Sequence, residues 1–296
     1  MITISPKDIS TREVHAHLLG AVSPRPIAFA STIDSDGHVN LAPFSFFNVF
    51  SANPPILVFS PARRGRDNTT KHTFENLKKV KEVVINIVNY DMVQQVSLAS
   101  TDYEEKVNEF IKAGFTEIPS EKIRPPRVAE APVQMECIVK EIIELGTEGG
   151  AGNLIICEVV LFHIKKEILD EHGTIDPFKI DTVSRLGGNW YSRAKNGLFS
   201  VPKPLTTIGI GIDQLPENIR NSRVLTGNDL GMLANVEKLP SFESVAAFLE
   251  NKTQAQFIEE ATAEEVHRCA QELLCDGKIE TAWNVLMAKE IKLKEN

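Results

Sequence analysis

Apolar residues gather in short runs over the first two-thirds of the chain and at helical spacing over the final third. Positions 27–33 are apolar and β-competent. The turn Asp34-Ser35-Asp36-Gly37 follows, and 38–42 returns as a second strand. Gly37 stands where a tight hairpin loop needs a positive φ. Positions 56–60 form a short apolar run of the kind buried in a barrel wall, and Ser60-Pro61 ends it. Positions 83–88 are β-branched, and two long β-rich runs cover 133–145 and 153–164. The Gly-rich stretch 146–152 between them lacks the G-x-G-x-x-G order and leads into a strand. It is a hairpin loop, not a dinucleotide fingerprint.

Helical patterns interrupt these strands. One helix is expected to begin near Thr70 or Thr73, with Thr as N-cap and Phe74, Leu77 and Val80 on one face. A second opens at Asp91 with Val93, Val96 and Leu98 apolar. A third spans 104–113 with Val107, Phe110 and Ile111 at helical spacing and Gly114 at its end. Positions 119–132 are Pro-rich and read as extended. Strands joined by hairpins, with a few inserted helices, favour a mostly antiparallel closed barrel. Pro202-Lys203-Pro204 then reads as a semi-rigid connector. Beyond it Thr262-Ala263-Glu264-Glu265 is a capping box. Val266, Cys269, Ala270, Leu273 and Leu274 follow at helical spacing, and Ile279, Ala282, Trp283, Leu286 and Met287 mark the next helix. The expected organisation is a β-rich domain over 1–204 and an α-helical C-terminal domain over 205–296 with no catalytic constellation.

Composition narrows the function classes. The chain has 296 residues, 42% hydrophobic and 24% charged, ordinary values for a globular protein with a substantial core. The N-terminus has no basic start or apolar signal core, and no window nears the about 20 apolar residues of a membrane span. A cytoplasmic protein without a membrane partner is expected. Cys137, Cys157, Cys269 and Cys275 form no C-x-x-C pair and show no zinc spacing with His, so buried reduced thiols are expected. His15 and His17 lack a carboxylate array, and no metal site is assigned. Net charge is −8 overall and −6 over 205–296, leaving 1–204 nearly neutral at −2. That distribution argues against nucleic-acid binding. Positions 63–81 nevertheless carry seven Lys and Arg against two acidic residues, a local excess that suits a phosphate-bearing ligand.

The most informative stretch is Asn40-Leu41-Ala42-Pro43-Phe44-Ser45-Phe46-Phe47-Asn48, followed by Ser51-Ala52-Asn53-Pro54-Pro55. Pro43 lacks a backbone donor and suits a central strand poorly, so an irregular segment leaving a strand is expected. Its aromatics can fill a core, yet Ser45 and Asn48 in the same run need polar partners if buried. Together with Ser23-Pro24-Arg25-Pro26-Ile27-Ala28-Phe29-Ala30-Ser31-Thr32, the run Lys71-His72-Thr73-Phe74-Glu75-Asn76 and the segment Arg185-Leu186-Gly187-Gly188 with Tyr191, it resembles the flavin reductase-like family, the FMN-binding split barrels. The resemblance covers roughly 1–204. His72 stands where many relatives have Asp, which leaves the role of that position open.

The resemblance implies a mainly β fold with inserted helices, an FMN-binding split β-barrel, to which this chain adds its C-terminal helical extension. It implies that Ser31 and Thr32 line the flavin, that Ser45, Phe46, Phe47 and Asn48 meet its ring, and that Ser60 and Asn68 belong to the same cofactor set. Arg64, Lys71 and Thr73 are the implied phosphate ligands; cations beside a helix N-terminus make an anion site. Arg185 and Tyr191 are expected to approach across a homodimer interface. His163 lies in an alternating strand, where a lone histidine is usually structural; by resemblance it is the nicotinamide-side candidate. The implied activity is an FMN-dependent oxidoreductase in which NADH or NADPH delivers hydride to flavin and electrons pass to a small-molecule acceptor. Such chemistry needs a dry, stacked geometry and no protein nucleophile, in keeping with the lack of a catalytic triad or carboxylate pair. The alternatives are a non-catalytic flavin-binding or interaction module and a flavoprotein acting on a non-nicotinamide substrate.

Overall fold

The computed structural model describes residues 1–205 and 208–295. It divides into two compact units, Met1–Phe199 and Ser200–Asn296. The break falls just ahead of Pro202-Lys203-Pro204.

The first unit opens with helix α1, Thr11–Ala21, started by Ser10 and Glu13 in a reciprocal capping box. Ser10-x-x-Glu13 is a readable start signal that the apolar pattern alone passes over. Strands β1 (Ala28–Ile33), β2 (Val39–Phe44), β3 (Phe47–Ala52) and β4 (Pro55–Phe59) follow, then α2 (His72–Lys79), β5 (Glu82–Ile87), α3 (Val93–Leu98) and α4 (Glu109–Ala113). Two short strands, β6 (Glu117–Ile118) and β7 (Arg127–Val128), precede the long hairpin of β8 (Val133–Glu144) and β9 (Asn153–Ile164). Helix α5 (Pro177–Ile180) and the small hairpin β10 (Val183–Arg185) and β11 (Tyr191–Arg193) close the unit.

Seven strands form one antiparallel sheet in the order β2-β1-β5-β8-β9-β4-β3. Two register shifts divide the β8–β9 pairing; such bulges bend long strands and increase their twist. β1 is buried at every position because it is covered on both faces. Ala28 and Ala30 join an inner cluster with Phe59, Phe74, Leu77, Ile85 and Ile155. Phe29 joins an outer one with Leu41, Met92, Val96, Phe110 and Phe115. The small inner residues share that cluster with α2, whose Phe74 and Leu77 are its contribution to the core.

Four local expectations change. Pro43 is not in an irregular segment but inside β2, which ends the sheet and pairs only with β1. An edge strand tolerates a missing donor. Residues 47–52 are a strand, β3, at the other end of the sheet. Helix α2 is not capped by Thr: Lys71 is its N-cap, without a side-chain cap bond. The third helix starts late, at Asn108, whose side chain accepts from the Phe110 amide; it ends as expected at Gly114 with φ 70°. Gly37 has φ 91°.

The second unit contains α6 (Glu217–Arg220), α7 (Gly227–Ala234), α8 (Phe242–Leu249), α9 (Lys252–Glu260), α10 (Ala263–Cys275) and α11 (Ile279–Glu295). The Thr262 and Glu265 capping box starts α10. Its core gathers Leu215, Ile219, Leu233, Val266, Leu274, Trp283 and Leu286. Trp283 Nε1 donates to the Leu233 carbonyl at 3.1 Å, which satisfies its buried polar edge. The four cysteines are free thiols, but only Cys137 and Cys157 are buried. Cys275, the last residue of α10, is exposed. Among the described residues no helix is long and apolar enough to cross a membrane.

Candidate functional site

A cavity of about 580 Å³ opens beside the ends of β1 and β2, with Ile27, Pro43, Ser45, Gln94, Ser97, Ser100, Arg185 and Tyr191 in its wall. It adjoins a second cavity of about 180 Å³, with which it shares Pro43 and Ser100. Arg64, Lys71, His72, Asp102 and Glu109 line that second part. The two make one elongated groove, with a wide end in which Arg185 is the one charged lining residue among the described residues and a narrow end lined by several charged groups. The wide part lies within the roughly 300–1,000 Å³ usual for cofactor sites.

The charged end is made by the loop between β4 and α2. Arg64 Nε donates to both carboxylate oxygens of Asp102 at 3.1 Å, and Arg64 Nη2 and Arg66 Nη2 also reach that carboxylate. Lys71 Nζ is 3.8 Å from Asp102 Oδ1. Arg64 is separately anchored, since its Nη1 donates to Thr69 Oγ1 at 3.1 Å and to the Thr70 carbonyl. The Arg64 hydrogen bonds hold the Asp102 carboxyl down at about 2. Burial lowers the Lys71 pKa, and repulsion from Arg64 lowers it further. Asp67 faces Arg66 and Thr69. Three cations therefore meet two carboxylates here, and Glu109 brings a third carboxyl to the same wall. Burial raises the pKa of Glu109, which accepts the Leu41 amide at 2.8 Å and so satisfies the open edge of β2.

The wide end is set by the β10–β11 hairpin. Arg185 lies 4.5 Å from the centre of the Tyr191 ring, and its Nη2 donates to the Gly188 carbonyl at 2.9 Å. Arg25 fastens this hairpin to the β1 end of the unit. Its guanidinium donates to the carbonyls of Leu19 and Val22, both at 2.7 Å, and of Leu186 at 3.0 Å. Arg25 and Arg185 also exchange backbone hydrogen bonds of 2.9 Å. Burial lowers the Arg25 pKa, with Arg185 as a secondary cause. Helix α3 supplies Gln94 and Ser97, three positions apart on one face, and Ser100 follows.

The structure thus brings Ser45, Arg64, Lys71, Arg185 and Tyr191 to one groove. Phe46, Phe47, Asn48 and Ser60 line a neighbouring apolar concavity of about 340 Å³ with Val22 and Pro24, and Ser45 borders both. The Ser60 hydroxyl accepts the Asn153 amide at 3.0 Å. Other expected residues face elsewhere. Thr32 is fully buried and accepts from Asn40 Nδ2 at 3.4 Å and Asn76 Nδ2 at 3.2 Å. Thr73, expected on a phosphate, is also buried and accepts from Asn40 Nδ2 at 2.9 Å. This network ties β1, β2 and α2 together. Ser31 is buried as well, and its hydroxyl has no hydrogen-bond partner among the described residues. Asn68 is a loop brace: with φ 60° its Oδ1 accepts from Arg63 Nε at 2.7 Å, and its Nδ2 donates to the Thr147 carbonyl at 2.9 Å.

His163, singled out by resemblance, sits in a polar contact away from the groove. Its Nε2 is 2.7 Å from Oε1 of the fully buried Glu136, whose carboxylate also accepts the amides of Glu121 and Lys122. A buried carboxylate needs such partners, and His163 lines neither part of the groove. Sequence reasoning missed Gln94, Ser97, Ser100 and Asp102. The polar spacing of Gln94, Ser97 and Ser100 opposite Val93 and Val96 was available as a signal. Nothing local marks Asp102.

A family model for the flavin reductase like domain matches residues 20–178. The chain belongs to the flavin reductase like family. It is 37% identical over 203 residues to the uncharacterized protein BH2278 of Halalkalibacterium halodurans, covering 68% of this chain and 96% of that one. Among solved structures it resembles nitrilotriacetate monooxygenase component B from Bacillus cereus, with 30% identity and a TM-score of 0.64, over 68% of this chain and 98% of that one. It also resembles a flavin reductase-type protein with a split barrel domain from Shewanella frigidimarina, with 25% identity and a TM-score of 0.57, over 69% of this chain and all of that one. The first unit is accordingly a split barrel of the flavin reductase type. The groove suits a flavin: cations lie at the narrow end, and Arg185 with neutral donors and acceptors lies around the wide end.

Proposed function

We propose that the protein is an FMN-dependent oxidoreductase that takes hydride from NADH or NADPH and passes electrons to a small-molecule acceptor. The observation that carries this reading is the groove itself, with Arg64 and Lys71 at one end and Ser45, Gln94, Ser97, Arg185 and Tyr191 at the other. Bound FMN supplies the hydride-accepting and electron-releasing chemistry. Arg64 and Lys71 hold the phosphate by charge-assisted hydrogen bonds. Ser45, Gln94 and Ser97 offer hydrogen bonds to the polar edges of the ring and the ribityl chain. Arg185, fixed by Gly188 and Tyr191, contributes positive charge at the ring end, where it favours an electron-rich ligand. Pro43 and Ile27 exclude water from the ring's apolar body.

The reading extends to assembly. Strand β3 is a sheet edge, and its Val49 and Phe50 are 62% and 68% exposed, with Phe46 beside them. An open apolar edge is an aggregation hazard unless covered. A homodimer that buries it, with the flavin near the subunit boundary, fits this surface. A cytoplasmic setting suits four free thiols. The monooxygenase-component name of the Bacillus cereus neighbour supports onward transfer of electrons.

The test is anaerobic. Protein reconstituted with FMN is expected to bleach on addition of NADH or NADPH and to recover colour when an acceptor is added. Full FMN occupancy without bleaching by either nucleotide rejects nicotinamide as the donor.

A further inference from the structure

The narrow end of the groove already holds an anion, and that anion is part of the chain. Arg64, Arg66 and Lys71 converge on Asp102, which belongs to the segment after α3 and not to the basic loop. Arg64 is only 12% exposed at its side chain. A cation so far removed from water requires a counter-charge. Asp102 is that counter-charge. Arg64 does not depend on Asp102 alone for its placement, since it keeps separate hydrogen bonds to Thr69 and Thr70. The Lys71 backbone is fixed as the N-cap of α2, and its ammonium faces the same carboxylate.

We propose that Asp102 is an internal competitor for the phosphate seat, pairing its cations and giving way when a phosphate monoester binds. This rests on the assignment of the groove to FMN, since the ligand that reaches from the wide end to Arg64 and Lys71 is then a flavin carrying a phosphate. A phosphate monoester brings about −1.5 to −2 charges and three acceptor oxygens, against one charge and two oxygens from Asp102. The exchange is therefore favourable but costs part of the phosphate's binding energy. Riboflavin, which has no phosphate, does not incur this cost. Asp102 thus keeps FMN exchangeable, as suits a protein that hands reducing equivalents onward. Protonation does not relieve the competition, because the carboxyl is held at about 2.

The experiment compares wild type, Asp102→Asn and Asp102→Ala as full chains. Affinities for FMN and riboflavin come from flavin fluorescence quenching and that for inorganic phosphate from calorimetry. Both variants are expected to bind FMN and inorganic phosphate about tenfold more tightly, with riboflavin unchanged. Asp67→Asn removes the same charge from a carboxylate that faces Arg66 and Thr69 instead, and is expected to gain far less. An equal gain in Asp67→Asn reduces the effect to net charge and overturns the proposal. So does weaker phosphate binding in the Asp102 variants, which makes Asp102 a buttress of the loop. In wild type, the side-chain carboxyl carbon resonance of Asp102 is expected to shift on saturation with inorganic phosphate; a fixed resonance overturns the proposal even where the variants do not fold. The phosphate arm is independent of flavin. Tighter phosphate binding by Asp102→Asn, in a protein that takes up no flavin, keeps the competitor and rejects the FMN assignment. FMN binding that Asp102→Asn leaves unchanged does the reverse.

Discussion

At one end of the groove three cations surround a single carboxylate; at the other, Arg185 rests 4.5 Å from the Tyr191 ring and donates to a backbone carbonyl. The charged end is electrostatically crowded and is balanced by Asp102. The wide end holds its cation by hydrogen bonding and ring contact, with neutral serines and a glutamine around it. The difference assigns separate tasks. Under the proposed function the narrow end reads phosphate charge, and the wide end reads shape and hydrogen bonding of a ring. A ligand that carries both features spans the groove, and changes at each end should separate them.

The largest expected effect comes from Arg64→Ala combined with Lys71→Ala. Two charge-assisted contacts of about 1.5–3 kcal/mol each are lost, so FMN affinity should fall by more than about tenfold even after solvent screening, while riboflavin is little affected. Fluorescence quenching with both ligands measures this, and equal weakening places the phosphate elsewhere. Asn40→Ala should act on stability instead of charge recognition. It leaves Thr32 and Thr73 short of a donor inside the β1–β2–α2 network, at a cost of about 1–3 kcal/mol. Thermal denaturation should show a lower Tm, with the ratio of FMN to riboflavin affinity preserved.

Arg185→Ala should weaken FMN and riboflavin alike, by roughly threefold, because it acts at the ring end. A loss confined to FMN erases the distinction between the ends. A smaller effect concerns pH. The folded pKa of Asp102, about 2, lies below its ordinary 3.8, so the stability it contributes is present above 3.8 and is lost as pH falls toward about 2. The Tm advantage of wild type over Asp102→Asn should shrink across that window, and a constant difference denies the ion pairs a role in stability. The smallest effect is expected from ending the chain after Pro204. The Bacillus cereus neighbour is matched over 98% of its length by 68% of this chain, so the first unit should bind FMN by itself. A soluble truncated protein that takes up no FMN assigns part of the site to the helical unit.

Much of this could be read without coordinates. The long β-rich runs became β8 and β9 because their periodicity and the Gly-rich loop between them are local signals. The cap at Thr262 and the turn at Gly37 are local for the same reason. The basic excess over 63–81 pointed to a charged patch, and the family resemblance singled out Ser45, Arg64, Lys71, Arg185 and Tyr191, which line the groove. Tertiary structure alone decided which hydroxyls face the groove and which the interior. Thr73 lies two residues after Lys71 in the chain, yet its hydroxyl is turned inward, where it accepts from Asn40 of β2. His163 is held by Glu136 across the β8–β9 pairing, a contact between residues distant in sequence. Asp102 joins the basic loop only because α3 brings its following segment there. Local patterns determine where the chain bends and which faces are apolar; the partner of each polar group depends on long-range packing, which satisfies buried donors and acceptors wherever the fold brings them together.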